Sequence, residues 1–443
     1  MKAQKQSNKS RKVLKIILTI ILIVETLGVV GLSIYLYLQN NQLGKTSDFA
    51  ITRPKKELPT TGKILTSEKP VSYNRDETLA LIKQTDKNFD LPVKYSITKQ
   101  IIRYNTADRL SSDVPVYARV YAPEGVNSKT PILAFAPGTT GIADKCAASL
   151  EVPQKSNWAN YDSLLSAYAS QGFTVITTDY EGMRDPTRMH HYMVGEMEGR
   201  AVLDSIRALH NLNETKKNVD KNRVFIGGYS QGGHAAFWAD KITSSYASEL
   251  KIKGIIGFGP VDDVEKTWAD ITNGANINWF GPFVLTSYQD YYKVNYPLDR
   301  ILLPRWQSSL TTDVNNHCID SAVTYWGRNP QSIYTKEFLD ALKNKNLLYA
   351  NYPQLAADLD KNITGNIQTS SYKLINQGAV DNLILPDQQN QMVDRLCKNG
   401  NKYVTYKLYN DANHYNTMVK SFKDVLSWID QATSNKFIQT SCK

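Results

Sequence analysis

Arg223–Gly233 reads RVFIGGYSQGG, and the fold turns on how that run is understood. Val224, Phe225 and Ile226 are a short apolar run of β-formers, the mark of a buried strand. Gly228-Tyr229-Ser230-Gln231-Gly232 follows as a G-x-S-x-G, and His234 to Asp240 (HAAFWAD) suits a helix. Strand, glycine-flanked serine, helix is the arrangement of a nucleophile elbow. The glycines have a steric reason: a Cβ two residues either side of the serine would meet the neighbouring strand and helix. The turn lifts Ser230 clear of a sheet and sets the next N–H groups at a helix N-terminus, where they can hold an oxyanion.

Outward from the elbow, strand and helix signals alternate. Tyr95–Asn105 and Val114–Tyr121 alternate apolar and polar, as a strand pair does. Pro131–Ala136 is a buried strand ending in the glycine-rich turn Pro137-Gly138-Thr139-Thr140-Gly141. Tyr161–Gln171 reads as a helix, Phe173–Thr178 as a strand and Met193–Leu212 as a long helix. Beyond the elbow come a strand at Ile252–Phe258, a strand opening at Tyr372, a helix at Pro386–Lys398, a strand at Tyr403–Tyr409 and a helix at Thr417–Ala432. This rhythm predicts a mainly parallel sheet flanked by helices on both faces. A stretch at about 261–370 breaks it, polar-aromatic and poor in strand patterns. It predicts a cap over the strand ends, whose aromatics either line an apolar pocket or form the cap's own core.

A serine hydroxyl needs a base to take its proton, and the base needs an orienting acid. On this kind of sheet the chain order is serine, acid, histidine. Of six histidines only His234, His317 and His414 follow Ser230. His234 falls in the first turn of the elbow helix, where it faces the core or shields the site. His317 falls in the cap. His414, just past the last strand, is the predicted base, and Asp381, at the end of the preceding strand, the predicted acid. The competing role for Asp381 is capping the helix that follows. For the oxyanion hole the residues predict the N–H of Gln231 and a donor from the Gly138–Thr140 turn, with Thr139 and Thr140 equally eligible. This chemistry requires no metal or organic cofactor.

The chain of 443 residues carries a formal charge of +10, of which Lys2, Lys5, Lys9, Arg11, Lys12 and Lys15 supply six. The remainder is only mildly basic, so nucleic acid is not an expected partner. The basic cluster precedes Ile16–Leu38, 23 residues with Glu25 as the sole charge, against about 20 needed to cross a bilayer. No A-x-A site closes the run, which predicts an uncleaved signal-anchor with the rest exported; a cleaved signal and a secreted protein is the alternative. The expected organisation is a basic N-terminus and anchor over 1–39, a tether over 40–77, and a domain over 78–443 with the cap inserted. The tether holds Leu58-Pro59-Thr60-Thr61-Gly62, a sortase-like signal read as coincidence, since such signals work near a C-terminus and about 380 residues follow. Cys146, Cys318, Cys397 and Cys442 fit two disulfides in an oxidising compartment, with three pairings open.

Several separate motifs resemble one family. Pro137–Gly141 with Asp144 and Cys146-Ala147-Ala148-Ser149 resembles the G-T-T-G…D-C-A-P-S loop of the secretory lipases, the lipase A type of yeasts with bacterial relatives. Asp179-Tyr180-Glu181-Gly182 resembles that family's D-Y-x-G, Leu203–Ala208 its L-D-A-V-R-A, and Gly228–Ala235 its elbow; Asp381 and His414 fall where it keeps its acid and histidine. The resemblance runs from about Tyr95 to the C-terminus. It implies an α/β-hydrolase fold with a helical cap, acting on carboxylic esters, sometimes lipid esters, and it favours the pairings Cys146–Cys318 and Cys397–Cys442. Ala148 replaces the family's usual proline, and Pro137 replaces the histidine of H-G-T, removing a polar group beside the oxyanion loop. The expectation is therefore a membrane-anchored, extracytoplasmic serine ester hydrolase with a small ester or lipid substrate. An acyltransferase or serine peptidase with the same triad is the alternative, as is a non-catalytic surface binding protein on a hydrolase fold. Acyl preference and oligomeric state are left open.

Overall fold

The computed structural model describes residues 60–84, 89, 91–152, 158–275, 277–366, 368–434 and 439–442. The chain divides into Met1–Glu57 and Leu58–Lys443, and the described residues all belong to the second unit. The expected anchor at 16–38 lies outside them, and among the described residues no helix is long and apolar enough to cross a membrane.

Ten strands form one sheet: β1 (Ile64–Ser67), β2 (Val71–Tyr73), β3 (Ile97–Ala107), β4 (Asp113–Pro123), β5 (Thr130–Ala136), β6 (Thr174–Thr178), β7 (Val219–Tyr229), β8 (Ile252–Phe258), β9 (Tyr372–Gly378) and β10 (Val404–Tyr409). Their order is β1-β3-β4-β6-β5-β7-β8-β9-β10, with β2 also on β3. From β6 to β10 every pairing is parallel; β4 joins β6, and β3 joins β1, β2 and β4, antiparallel. The strands β5, β6, β8 and β9 are buried along most of their length, and β7 from Val224 onward. β5 and the buried part of β7 therefore show short apolar runs, whereas β3 and β4 alternate at the half-covered end.

Two apolar layers cover the sheet. One packs the Gly195–Asn211 and Gln231–Tyr246 helices on it, through Val202, Ile206 and Ala236. The other packs the Tyr161–Ser170 and Phe422–Thr433 helices, through Leu165, Val425 and Trp428. The closing helix is split at Ser421, whose hydroxyl donates back to the Thr417 carbonyl at 2.7 Å.

Between β8 and β9 the chain runs through short helices from Val264 to Asp360. Trp268, Phe283, Tyr288, Trp326 and Tyr334 are buried together there. Most of the segment's aromatics thus make its own core, while Trp279 and Phe280 also face the cavity described below.

The N-terminal side departs from expectation. Residues 64–73, read as tether, form β1 and β2, and Arg75–Ile82 is a helix with an Asn74–Glu77 capping box. These strands are short and mostly exposed, so their sequences carry no buried pattern to read. Thr60 to Gly62, the described part of the sortase-like stretch, is folded in as well. The Thr60 N–H and hydroxyl bind Asp113 at 2.6 and 2.7 Å, and the Gly62 N–H donates to the Asn105 carbonyl at 2.7 Å.

Candidate active site

Ser230 sits between β7 and the Gln231–Tyr246 helix with φ 56° and ψ −117°, a conformation a non-glycine residue adopts only under constraint. The constraint is close packing. A Cβ on Gly228 would lie 1.9 Å from the Gly232 carbonyl oxygen, and one on Gly232 would lie 1.9 Å from the Ala136 carbonyl oxygen. The elbow is thereby pressed against the end of β5, where Ala136 pairs with Gly228. The Ser230 N–H donates to Phe258 at 3.0 Å, and its carbonyl accepts from Val261 at 3.1 Å, so β8 holds the other side. Gln231 opens the helix, where its N–H has no intrahelical acceptor.

His414 and Asp381 meet: His414 Nδ1 is 2.7 Å from Asp381 Oδ2. Both are buried. The other carboxylate oxygen, Oδ1, accepts the N–H groups of Leu383 and Ile384 at 2.9 Å each. Asp381 thus braces the turn after β9 while contacting the histidine; it does not cap the Pro386–Lys398 helix, whose N-cap is Leu385 with no side-chain hydrogen bond. Gly259, with φ +50°, leaves room for the pair, since a Cβ there would stand 3.1 Å from His414 Nδ1 and 3.2 Å from Asp381 Oδ2. Tyr229 supports the imidazole from below, its ring centroid 4.9 Å away.

Ser230, His414 and Thr139 line one cavity of about 80 Å³. It lies at the carboxyl ends of the parallel strands, where open α/β sheets hold ligands. Its other walls are largely apolar: Trp158 and Tyr161 from the core side, and Ile271, Trp279, Phe280, Ile319 and Val323 from the helical insertion. Of the two threonines, Thr139 lines the cavity; Thr140 is fully buried, and its carbonyl accepts the Ile319 N–H at 2.9 Å. The turn that carries them is braced by three tyrosines. Tyr180 donates to the Pro137 carbonyl at 2.7 Å, the Gly138 N–H donates to the Tyr161 hydroxyl at 2.8 Å, and the Thr139 and Tyr192 hydroxyls are 2.8 Å apart. Cys146–Cys318 and Cys397–Cys442 are bonded, and the first ties this turn's loop to the Ile319–Trp326 helix of the insertion.

Below the elbow lies a buried polar cluster that sequence reasoning missed. Glu198 accepts from the Met193 N–H (2.9 Å), from Gln231 Nε2 (2.7 Å) and from His234 Nδ1 (3.0 Å). His234 Nε2 faces the Asn362 carbonyl at 2.7 Å, so this histidine serves the core, as expected of its place in the helix. Gln231 Nε2 also reaches His190 Nε2 at 3.0 Å. Burial pulls His190 down to about 4, leaving it neutral near pH 7, with Nε2 accepting from Gln231 and Nδ1 donating to the Glu181 carbonyl. A glutamate on an amphipathic helix reads as a solvent-facing residue, so nothing in the sequence marked Glu198. His317 lies in the insertion, half-buried and stacked on Tyr325.

Residues 156–440 match the family model described as secretory lipase. The chain is 29% identical over 180 residues to Lipase A of Moesziomyces aphidis, covering 39% of this chain and 37% of that protein. It is 23% identical over 384 residues to the secreted triacylglycerol lipase LIP1 of Malassezia furfur, covering 84% and 70%. It thus spans well under half of the first relative's length. Among solved structures it resembles the rice cell wall degrading esterase LipA of Xanthomonas oryzae (TM-score 0.70, 18% identity, 86% of this chain and 100% of that one). It also resembles Candida antarctica lipase A in its closed state (TM-score 0.64, 21% identity, 86% and 84%). These likenesses carry the fold, an α/β-hydrolase with a helical insertion.

Proposed function

The chain belongs to the secretory lipase family, and on that premise we propose that it is an extracytoplasmic serine hydrolase of carboxylic esters, lipid esters among them. Ser230 Oγ attacks the ester carbonyl while His414 takes its proton, and the tetrahedral oxyanion is held by the Gln231 N–H and by Thr139. His414 then hands the proton to the departing alcohol, leaving an acyl-serine. Water, activated by the same imidazole, releases the acid. Asp381 keeps Nδ1 protonated, so that Nε2 is the basic nitrogen. The observation that carries the reading is the shared cavity: a serine on a strained turn and a carboxylate-bound histidine line the same apolar pocket. The apolar walls suit an acyl chain. We further assign the apolar run at 16–38, with the basic residues before it, as a signal-anchor that places the domain outside the cell; a relative named as secreted supports the alternative, a cleaved signal and release. The test is hydrolysis of p-nitrophenyl esters from acetyl to palmitoyl by the full chain beside Ser230→Ala, with fluorophosphonate labelling of Ser230. Loss of both signals in the variant supports the reading; no turnover and no labelling in the native chain leaves a binding protein instead.

A further inference from the structure

We propose that Tyr192 is a positioning residue that aims the Thr139 hydroxyl at the oxyanion, giving the site a side-chain donor beside its backbone ones. The inference rests on Ser230 being the nucleophile. Thr139 and Tyr192 share one hydrogen, since their oxygens are 2.8 Å apart and either can donate. Burial decides the direction. The Tyr192 side chain is fully buried, its ring held edge-on by Phe280 at 5.8 Å and Phe283 at 5.9 Å. Among the described residues, Thr139 is the hydrogen-bond partner of its hydroxyl. If Thr139 were the donor, the phenolic hydrogen would be buried without an acceptor, an arrangement the reverse direction avoids. Tyr192 therefore donates. The Thr139 hydrogen is left free on the wall of the cavity that Ser230 and His414 share. Burial also holds the Tyr192 phenol well above its ordinary pKa, so it remains a donor through the working range.

The backbone around Tyr192 is fixed from three directions. Its carbonyl accepts from Ser287 and that of Met193 from Tyr288, both at 3.0 Å, and the Met193 N–H binds Glu198. Met193 itself sits at φ 58°, a strained value for a side chain of its size. Ser287 and Tyr288 belong to the Phe280–Tyr292 helix. The insertion therefore aims Tyr192, and Tyr192 aims Thr139.

The test uses the full chain with p-nitrophenyl butyrate and the rate of fluorophosphonate labelling. Thr139→Val is expected to lower kcat by about a hundredfold with KM nearly unchanged, the size of one lost oxyanion donor. Tyr192→Phe should lower it by about tenfold, the worth of one oriented hydrogen bond. The double variant should be no slower than Thr139→Val alone, and Thr139→Ser should keep both the rate and the sensitivity to Tyr192→Phe. An unchanged kcat in Tyr192→Phe overturns the proposal. So does a loss that persists undiminished in the Thr139→Val background, or one that appears in KM instead. If Tyr192→Phe does not fold, equal rates for Thr139→Val and Thr139→Ser overturn it. Failure of labelling at Ser230 in the native chain would instead remove the hydrolase reading beneath it.

Discussion

Replacing Gly232 by alanine tests how tightly the elbow and the Pro137–Gly141 turn are fitted. The new methyl would begin 1.9 Å from the Ala136 carbonyl oxygen, 2.5 Å from its carbon and 2.7 Å from the Pro137 carbonyl oxygen. Ordinary contact starts near 3.4 Å, so the two backbones must part by about 1.5 Å. Every atom in the way is main chain, and that main chain carries Thr139. A misplacement of about 1 Å can cost ~10²-fold in rate, so Gly232→Ala should lose at least that much kcat on p-nitrophenyl butyrate. Strain of about 1–3 kcal/mol is partly offset by the better helix propensity of alanine, worth about 1 kcal/mol. Melting should therefore fall by only a few degrees. Gly227→Ala is the internal control. Its methyl would meet the Phe135 ring at 3.2 Å and a Leu133 methyl at 3.3 Å, side-chain ends that can yield a few tenths of an ångström. It should keep kcat within roughly threefold. A folded Gly232→Ala as active as Gly227→Ala would refute the claim that the two turns are in rigid register.

Asp381→Asn keeps an acceptor for Leu383 and Ile384 but presents N–H to His414, reversing its tautomer; kcat should fall by about 10⁴ with the melting temperature little changed. His191 lies between Glu181 (2.8 Å) and Asp290 (3.0 Å) on the insertion. Burial pulls its pKa down, but the hydrogen bonds to Asp290 and Glu181 outweigh that and leave it raised above 6.5. Stability from this contact is thus full below pH 6.5 and fades as pH rises through the folded value, so the melting deficit of His191→Gln should be larger at pH 6 than at pH 9; equal deficits would refute it. For the disulfides, loop-entropy arithmetic gives about 5 kcal/mol for the separation of 172 residues and about 4 kcal/mol for that of 45. The activities should part more sharply: Cys397→Ala with Cys442→Ala should lower the melting temperature alone, whereas Cys146→Ala with Cys318→Ala should lower kcat in the surviving folded enzyme as well.

What could be read in advance follows from burial. The Ile252–Phe258 strand and the Pro386–Lys398 helix were legible to the residue, because a central strand is a continuous apolar run and an amphipathic helix a periodic one. β1 and β2 were illegible, since edge strands that bury little obey no pattern. Among the candidate residues, Ser230, Asp381 and His414 stood out because each lies in the turn or loop after a strand, and strand ends are visible in sequence. Thr139 and Thr140 were inseparable because a one-residue difference in facing needs the turn's actual shape. Glu198, His190 and Gly259 went unseen for a related reason: each matters through a neighbour distant in the chain.

The Cys146–Cys318 bond closes a covalent ring that contains Ser230 and leaves Asp381 and His414 outside it. A protease that cuts once anywhere between those cysteines opens the ring without releasing a piece. Such a nicked molecule would run as one band without reductant and as two with it. Ser230 would stay covalently joined to the strands that precede Asp381 and His414, so a single cut in the helical insertion need not separate the three.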